Sequence, residues 1–354
     1  MLEDFKKNAE ELREFVEKIS GKTFFITGGA GFLGQYLIEV LNYMNENILA
    51  EKCKIIVVDN FISGLKTNIK QNNNVTLIEH NIIEPFKTEE EIHYILHAAG
   101  IASPIFYRKY PIETLDVGYL GTRNMLNLAK EKEVESFLLF SSSEVYGDPD
   151  SHFIPTPETY RGNVSCTGPR ACYDEAKRAS EALCISYYEQ HKIPVKIVRP
   201  FNIFGPGMRF DDQRVVINFV TAGLKGNNIP IYGQGNQTRT FCYITDAIRG
   251  FFQILFSNYN GEAFNIGNDK PEISIESLAL ITAELLGNNT NVKKVIAPDE
   301  VYHPKSDPAR RGPDLSKIRA MVNYENKISL REGISRFIEW SREEVEKNPL
   351  LLKE

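Results

Sequence analysis

The sequence predicts an α/β fold built on a doubly wound parallel sheet, with a smaller C-terminal α/β domain. Three observations carry this expectation. From residue 21 to about 200, short apolar runs alternate with helical periodicities, the pattern of a parallel sheet covered by helices on both faces. A glycine-rich turn, Thr27-Gly28-Gly29-Ala30-Gly31-Phe32-Leu33-Gly34, follows the first apolar run directly. Tyr173 and Lys177 open a long helical stretch downstream of Ser141-Ser142-Ser143-Glu144. Together these describe a Rossmann-type sheet whose strand ends carry a dinucleotide and a reacting group.

The elements follow in order. Residues 1–20 read as an amphipathic helix with Phe5, Leu12, Phe15, Val16 and Ile19 on one side. It is either a packing element or a loosely attached extension. Residues 21–200 form the dinucleotide-binding domain, with strands at 23–27, 54–58, 75–79, 93–97, 136–141 and 194–199 and long helices at 114–132 and 173–191. After 200 the pattern becomes irregular, so 201–354 is expected to form mainly the substrate-binding domain. Residues 240–268 return to the first domain through a helix at 243–256 and a strand at 263–267. A short strand at 229–232 and helices at 274–286 and 330–346 complete the chain.

Composition excludes several classes. The chain has 354 residues, 42% hydrophobic and 25% charged, with a net charge of −6. No basic run suits nucleic acid or an anionic membrane surface. No apolar stretch reaches the roughly 20 residues of a membrane span. The start, Met1-Leu2-Glu3-Asp4-Phe5-Lys6-Lys7, lacks the character of a secretory signal. The five cysteines have no Cys-x-x-Cys spacing, so reduced thiols, no metal and a cytoplasmic location are expected.

The glycine turn has a physical reading. A strand that turns into a helix needs residues without Cβ at the tight turn, beneath the pyrophosphate and at the helix–strand contact. Gly28, Gly31 and Gly34 stand at those places, and the helix start supplies N–H groups for the diphosphate. A glycine-rich turn without function is the alternative. Asp59 closes the next apolar run, where a carboxylate meets the adenosine ribose hydroxyls and repels a 2′-phosphate, so NAD is expected rather than NADP. Asn60, Phe61 and Gly64 continue a loop around the adenosine.

Tyrosine and lysine at i and i+4 share one helix face. An ammonium near a phenol favours the phenolate, which suits removal of a proton from a sugar hydroxyl as hydride leaves the same carbon. Ser142 and Glu144 stand at the end of the run 137–140, where ligands of open α/β sheets bind. The catalytic set is therefore Tyr173, Lys177, Ser142 and Glu144.

With these residues in place, the chain resembles the extended short-chain dehydrogenase/reductases, the nucleotide-sugar epimerases and dehydratases, over about residues 21–340. The matching motifs are the glycine turn, Asp59, His97-Ala98-Ala99-Gly100, Ser142, Tyr173 with Lys177, and Arg199-Pro200-Phe201-Asn202-Ile203-Phe204-Gly205-Pro206. Within that superfamily it is most similar to the UDP-glucuronate decarboxylases (UDP-xylose synthases). Shared stretches are Ser143-Glu144-Val145-Tyr146-Gly147-Asp148-Pro149, Gly168-Pro169-Arg170-Ala171-Cys172-Tyr173-Asp174-Glu175, Arg214-Val215-Val216, Gln237-Thr238-Arg239-Thr240-Phe241 and Arg311-Gly312-Pro313-Asp314.

The resemblance implies a redox-neutral NAD enzyme, a lyase or isomerase, that keeps its cofactor. It implies cofactor contacts from Phe32, Leu33, Asn81, Ile82, Ala98 and Ala99 beside those above, with Tyr173 and Lys177 also at the nicotinamide ribose. Substrate contacts are expected from Ser103, Asn202, Arg214, Val215, Tyr232, Arg239 and Arg311. Arg239 is placed at the diphosphate and Arg311 at the sugar, although Arg310 is not separable from Arg311 in the sequence. Glu144 is expected to position the ring or handle the proton at C5. The apolar helices 114–132 and 173–191 imply a homodimer, unless both are covered within one subunit.

Four departures from the family pattern lie near the substrate: Asn81 for Asp, Gly118 for Asn, Ser142 for Thr, and the segment 157–163. Decarboxylation of UDP-glucuronate ranks first. A 4,6-dehydratase ranks second and a 4-epimerase third. A non-catalytic protein that binds NAD and a nucleotide sugar is the alternative of a different class.

Overall fold

A computed structural model describes residues 1–287, 290–296 and 308–352. The centre is a seven-stranded, all-parallel sheet. Its strands are β1 (Thr23–Thr27), β2 (Lys54–Asp59), β3 (Val75–Glu79), β4 (Tyr94–His97), β5 (Ser136–Phe140), β6 (Val195–Pro200) and the edge strand Glu262–Ile266. The spatial order runs from that edge strand through β6, β5, β4, β1 and β2 to β3. The order therefore reverses between β1 and β4, and the crevice at that switch point is where such sheets bind ligands.

Alternation explains why both faces are apolar. Phe24, Ile26, Ile55, Val57, Leu138, Phe140 and Val198 belong to one buried cluster. Phe25, Ile56, Val58, Phe137, Leu139, Val195 and Ile197 belong to the other. Successive side chains of a strand point to opposite faces, and parallel strands are buried on both.

Residues 1–20 pack on the body of the protein. Leu2–Glu11 and Val16–Ile19 are helical, joined by a 3₁₀ turn over Leu12–Phe15. Phe5, Leu12 and Ile19 are buried as expected, while Phe15 and Val16 are half-buried. Asp4 is buried as well, and its carboxylate accepts from the hydroxyls of Tyr243 at 2.8 Å and Tyr36 at 3.3 Å and pairs with Arg336 at 3.3 Å. The Asn8 amide donates to the Thr245 carbonyl at 2.8 Å. These contacts replace the picture of a loosely attached extension.

The long helix expected over 114–132 is interrupted. Pro111–Asp116 is α-helical, Val117–Gly121 is a π segment, and Thr122–Glu131 is α-helical again. Gly118 sits in that segment against the helix Ala171–His191. A Cβ on Gly118 would stand 2.6 Å from the Ala176 Cβ and 2.9 Å from its carbonyl oxygen. Ser180 donates to the Gly118 carbonyl at 2.8 Å. The missing side chain thus lets two backbones meet one residue before Lys177. Replacing Gly118 by Asn is expected to cost about 1–3 kcal/mol by overpacking, read as a lowered denaturation midpoint in urea.

The second half adds small sheets beside the crevice. Thr238–Arg239 pairs with Ile273–Ser274 and with Arg310–Arg311. Ile229–Tyr232 pairs in parallel with Val292–Val295. Ile244–Leu255 is almost wholly buried, and Glu262–Ile266 runs beside β6.

Candidate active site

The turn after β1 forms one wall of the first cavity. Gly28 has φ +69, and a Cβ there would stand 2.6 Å from the Ala99 backbone, so only glycine lets β1 and the segment after β4 close together. Gly31, Phe32, Leu33 and Gly34 line the cavity with Gly28, Asp59, Asn60 and Gly64. Asn81, Ile82, Ala98, Ala99, Ser103 and Arg214 line it as well. Phe61 is not part of the lining; its backbone N–H instead donates to Asp59 Oδ1 at 2.8 Å. The Ala30 N–H donates to Asp59 Oδ2 at 2.9 Å. Burial pushes the Asp59 carboxyl up, while these two N–H groups act against it. Each oxygen keeps a lone pair for a diol.

This cavity fits NAD on the chain's own geometry. The glycine turn leaves no Cβ under the diphosphate position, the helix Phe32–Asn47 begins there, and an acid closes β2 at the ribose position. Ser103 adds a buried hydroxyl oxygen with no partner among the described residues. Replacing Asp59 by Ala is expected to weaken NAD binding by about 1–3 kcal/mol and to narrow the preference over NADP, measured by titration with each dinucleotide.

Tyr173 and Lys177 lie at the start of the helix Ala171–His191, both buried. They line a small pocket with His97, Ala99, Gly100, Gly118 and Ser180, adjoining the dinucleotide cavity at Ala99 and Gly100. The rings of Tyr173 and Tyr107 stack, with centroids 5.5 Å apart and planes at 14°. Lys177 Nζ donates to the Phe140 carbonyl at 2.7 Å and stands 6.0 Å from the Tyr173 ring centroid.

The expected pull of Lys177 on the phenol is therefore corrected. Burial pushes the Tyr173 hydroxyl above its usual range, and only the Ser142 hydroxyl and Arg170 pull the other way. Lys177 is itself lowered to about 8 by burial, with Glu181 opposing. Its charge is spent on the backbone at the end of β5 and not on the phenol. His97 is held neutral, lowered to about 3 by burial first and Lys177 second. It joins Thr27 at 2.8 Å to Thr122 at 3.1 Å beneath the pair.

Ser142 caps the 3₁₀ turn Ser143–Tyr146 and accepts from the Glu144 N–H at 3.2 Å. The Glu144 carboxylate is clasped by two guanidiniums: Arg311, in a bidentate contact with one arm at 2.9 Å, and Arg170. Burial alone would raise Glu144, but Arg170 and Arg311 outweigh it and hold the carboxyl well below its usual range. An acid held anionic in this way is a poor proton donor, which favours the positioning role expected of Glu144 over its handling the C5 proton. Arg170 Nε also lies 3.8 Å from Asp174 Oδ2. Asp174 is pushed up to about 7, by burial first and by Glu144 second.

A second cavity receives Asn202, Val215, Tyr232, Arg239 and Arg311 together, with Tyr107, Arg170, Gln213 and Phe241. Ser103 and Arg214, expected with the substrate, stand in the dinucleotide cavity instead. Arg214 is paired there with Asp212 at 2.6 Å. The Asn202 amide donates to the Thr240 carbonyl at 2.9 Å. Arg239 is buried and donates to the carbonyls of Thr238 at 2.8 Å and Pro308 at 2.6 Å. The strand Arg310–Arg311 separates its two arginines, because alternate residues face opposite ways. Arg311 is buried on Glu144, whereas Arg310 points outward to Glu272 at 2.6 Å.

Arg170 and Asp174 were missed as site residues. Both stand in the stretch quoted around Tyr173, and a lone arginine at a helix start gives no signal of a partner that lies on the 3₁₀ turn Ser143–Tyr146.

A dinucleotide cradle at the switch point, a buried tyrosine–lysine pair and an adjoining arginine-rich cavity define an NAD-dependent enzyme of the short-chain dehydrogenase/reductase class. The model of the NAD dependent epimerase/dehydratase family matches residues 24–267, and the chain belongs to that family. It is 42% identical over 312 residues to UDP-glucuronic acid decarboxylase 3 of Arabidopsis thaliana, covering 87% of this chain and 86% of the relative. It is 38% identical over 336 residues to UDP-glucuronic acid decarboxylase 1 of Xenopus tropicalis, covering 94% of this chain and 75% of the relative. Among solved structures, an epimerase from Methanothermobacter thermautotrophicus aligns with a TM-score of 0.81 at 26% identity, covering 99% of this chain and 98% of that one. The dTDP-glucose 4,6-dehydratase DesIV from Streptomyces venezuelae shares the fold at a TM-score of 0.79 and 24% identity, covering 93% and 99%.

Proposed function

We propose that this protein converts UDP-glucuronate to UDP-xylose and CO2. The observation that carries the reading is the pair of the half-buried Arg170 and the buried Arg311, which clasp Glu144 and line the arginine-rich cavity. Two guanidiniums face one anionic carboxylate, Glu144, and a second acid, Asp174, that burial first and Glu144 second push up to about 7, so that about half of it is protonated at neutral pH. The cluster therefore has a positive charge to spare for a hexuronate carboxylate, which a neutral hexose lacks. The relatives named above point the same way.

The roles follow from position. Tyr173 would take the proton of the C4 hydroxyl as its phenolate, which the positive charge of bound NAD+ would favour against the burial that raises the phenol, and would later return it. Ser142 hydrogen-bonds the C4 oxygen as charge develops there. Lys177 holds the end of β5 and the cofactor ribose. NAD, when bound, supplies the reversible two-electron oxidation at C4. A ketone at C4 makes the C5 carboxylate that of a β-keto acid, so CO2 leaves into an electron sink without a strong base. Glu144 orients Arg311 and Arg170 on that carboxylate. Asn202, Tyr232 and Arg239 hold the uridine diphosphate.

Ile112, Leu115, Tyr119 and Leu120 leave apolar side chains exposed along the stretch 111–121, which supports a homodimer through this face. All five cysteines are free, which suits a reducing compartment, the cytoplasm. Among the described residues no helix is long and apolar enough to cross a membrane.

The test is incubation with UDP-glucuronate, followed by NMR and CO2 release, beside UDP-glucose, dTDP-glucose and GDP-mannose. UDP-xylose with CO2 from the first substrate alone is expected. A 4-keto-6-deoxy product from a neutral hexose would replace this reading by the dehydratase one.

A further inference from the structure

The decarboxylation consumes one proton, and no group assigned so far can supply it. The C5–carboxylate bond breaks, CO2 departs, and its electron pair passes into a C4–C5 enolate. C5 must then gain a proton. Tyr173 has to keep the proton it took, because the C4 oxygen needs it back. Glu144 is clasped as an anion by two guanidiniums. Lys177 is engaged with the Phe140 carbonyl.

Asp174 remains. It follows Tyr173 on the helix and is 7% exposed. Its Oδ1 is buried without a hydrogen-bond partner among the described residues. It lines a third cavity, of about 480 Å3, with Glu144, Arg170, Arg311, Ser165 and Asp148. Arg170 and Arg311 also line the arginine-rich cavity, so the two spaces meet at the guanidiniums. A polar space of this size accommodates water.

We propose that Asp174 is the relay acid that delivers the C5 proton, refilled from solvent through this third cavity. This rests on the decarboxylase reading above. The balance is closed: the Asp174 carboxylic acid passes its proton through water at the guanidiniums to C5 as C5–H forms, and the resulting carboxylate takes up one proton from bulk solvent through the cavity. Charge favours the acid form while substrate is bound. Arg170 from the preceding loop and Arg311 from its strand then face three carboxyl groups, those of Glu144, the sugar and Asp174. Keeping Asp174 protonated makes that set neutral. The other titratable neighbours are Glu175, Tyr173 and Cys172 on its own helix and Tyr107 on the helix Pro104–Lys109. Once CO2 has left, the set has lost one negative charge and Asp174 can give up its proton.

The test compares the native enzyme with Asp174→Asn and Asp174→Glu, using UDP-glucuronate in single turnover and steady state. For Asp174→Asn, kcat is expected to fall on the order of 10²-fold. A burst of CO2 stoichiometric with enzyme should persist while UDP-xylose lags, because the block lies after bond cleavage. The lower step of the alkaline limb of the kcat–pH profile, that of Asp174, should disappear and leave only the Lys177 step. Asp174→Glu should keep the lower step with a shifted midpoint, which also serves if the Asn variant does not fold. The proposal is overturned if the native enzyme forms UDP-xylose and Asp174→Asn retains its rate and pH profile, or if CO2 and UDP-xylose slow together. Likewise, a Glu variant with an unmoved midpoint overturns it. Absence of CO2 from the native enzyme is a different failure, that of the decarboxylase reading.

Discussion

Tyr173→Phe is expected to lower kcat by roughly 10²–10⁴-fold, the usual share of a positioned acid–base group. The reason is geometric. The phenol sits in a closed pocket against Tyr107, with Ser142 as the hydroxyl that moderates its high pKa. Removing the oxygen leaves the ring stack and the helix start intact, so thermal stability should change little. Substrate affinity should also hold, because the binding groups line another cavity. The same pocket sets a pH dependence. Lys177 is lowered to about 8 by burial, so its ammonium is present below that pH and lost above it. In the free enzyme kcat/KM is therefore expected to fall as pH rises through about 8. A Phe variant that retains native kcat would remove Tyr173 from the chemistry.

Arg311→Ala is expected to have two separable effects. Breaking a buried pair strands the remaining charge, at a cost of roughly 3–5 kcal/mol. Here Glu144 keeps Arg170, so the lower end applies. Activity should suffer more, with kcat/KM down on the order of 10²–10³-fold, because a buried guanidinium that binds a carboxylate accounts for about 2–5 kcal/mol when it is truncated. The double variant Glu144→Gln with Arg311→Met separates the two. Two neutral groups of similar size should recover part of the melting temperature and none of the turnover. Recovery of turnover would assign Arg311 a purely structural part.

The legible parts of this protein were those written locally. The turn Gly28–Gly34 and Asp59 carry their own reasons, since a strand-to-helix turn and a strand-end acid are defined by adjacent residues. Tyr173 and Lys177 share a helix face by spacing alone. What spacing does not say is where an ammonium finds its acceptor. Lys177 turns to the Phe140 carbonyl, on a strand more than thirty positions earlier, while burial, which no spacing reveals, holds the phenol high. Arg170 and Arg311 were invisible as a pair because Glu144 joins them across the fold. Arg310 and Arg311 became distinct only once their strand was registered on Thr238–Arg239. Ser103 and Arg214 line the first cavity and not the arginine-rich one, since neither neighbour in sequence tells which space a loop faces. Gly118 reads as a lost side chain in the sequence and as a close helix contact in the fold.

The account's central claim is a decarboxylation that proceeds through a transient ketone at C4. It is tested most directly with UDP-glucuronate carrying deuterium at C4, turned over by the purified enzyme and analysed by NMR. The account predicts UDP-xylose that retains the deuterium at C4, with solvent hydrogen entering only at C5. UDP-xylose that has lost the C4 label to solvent, or recovery of UDP-glucuronate unchanged, would contradict it.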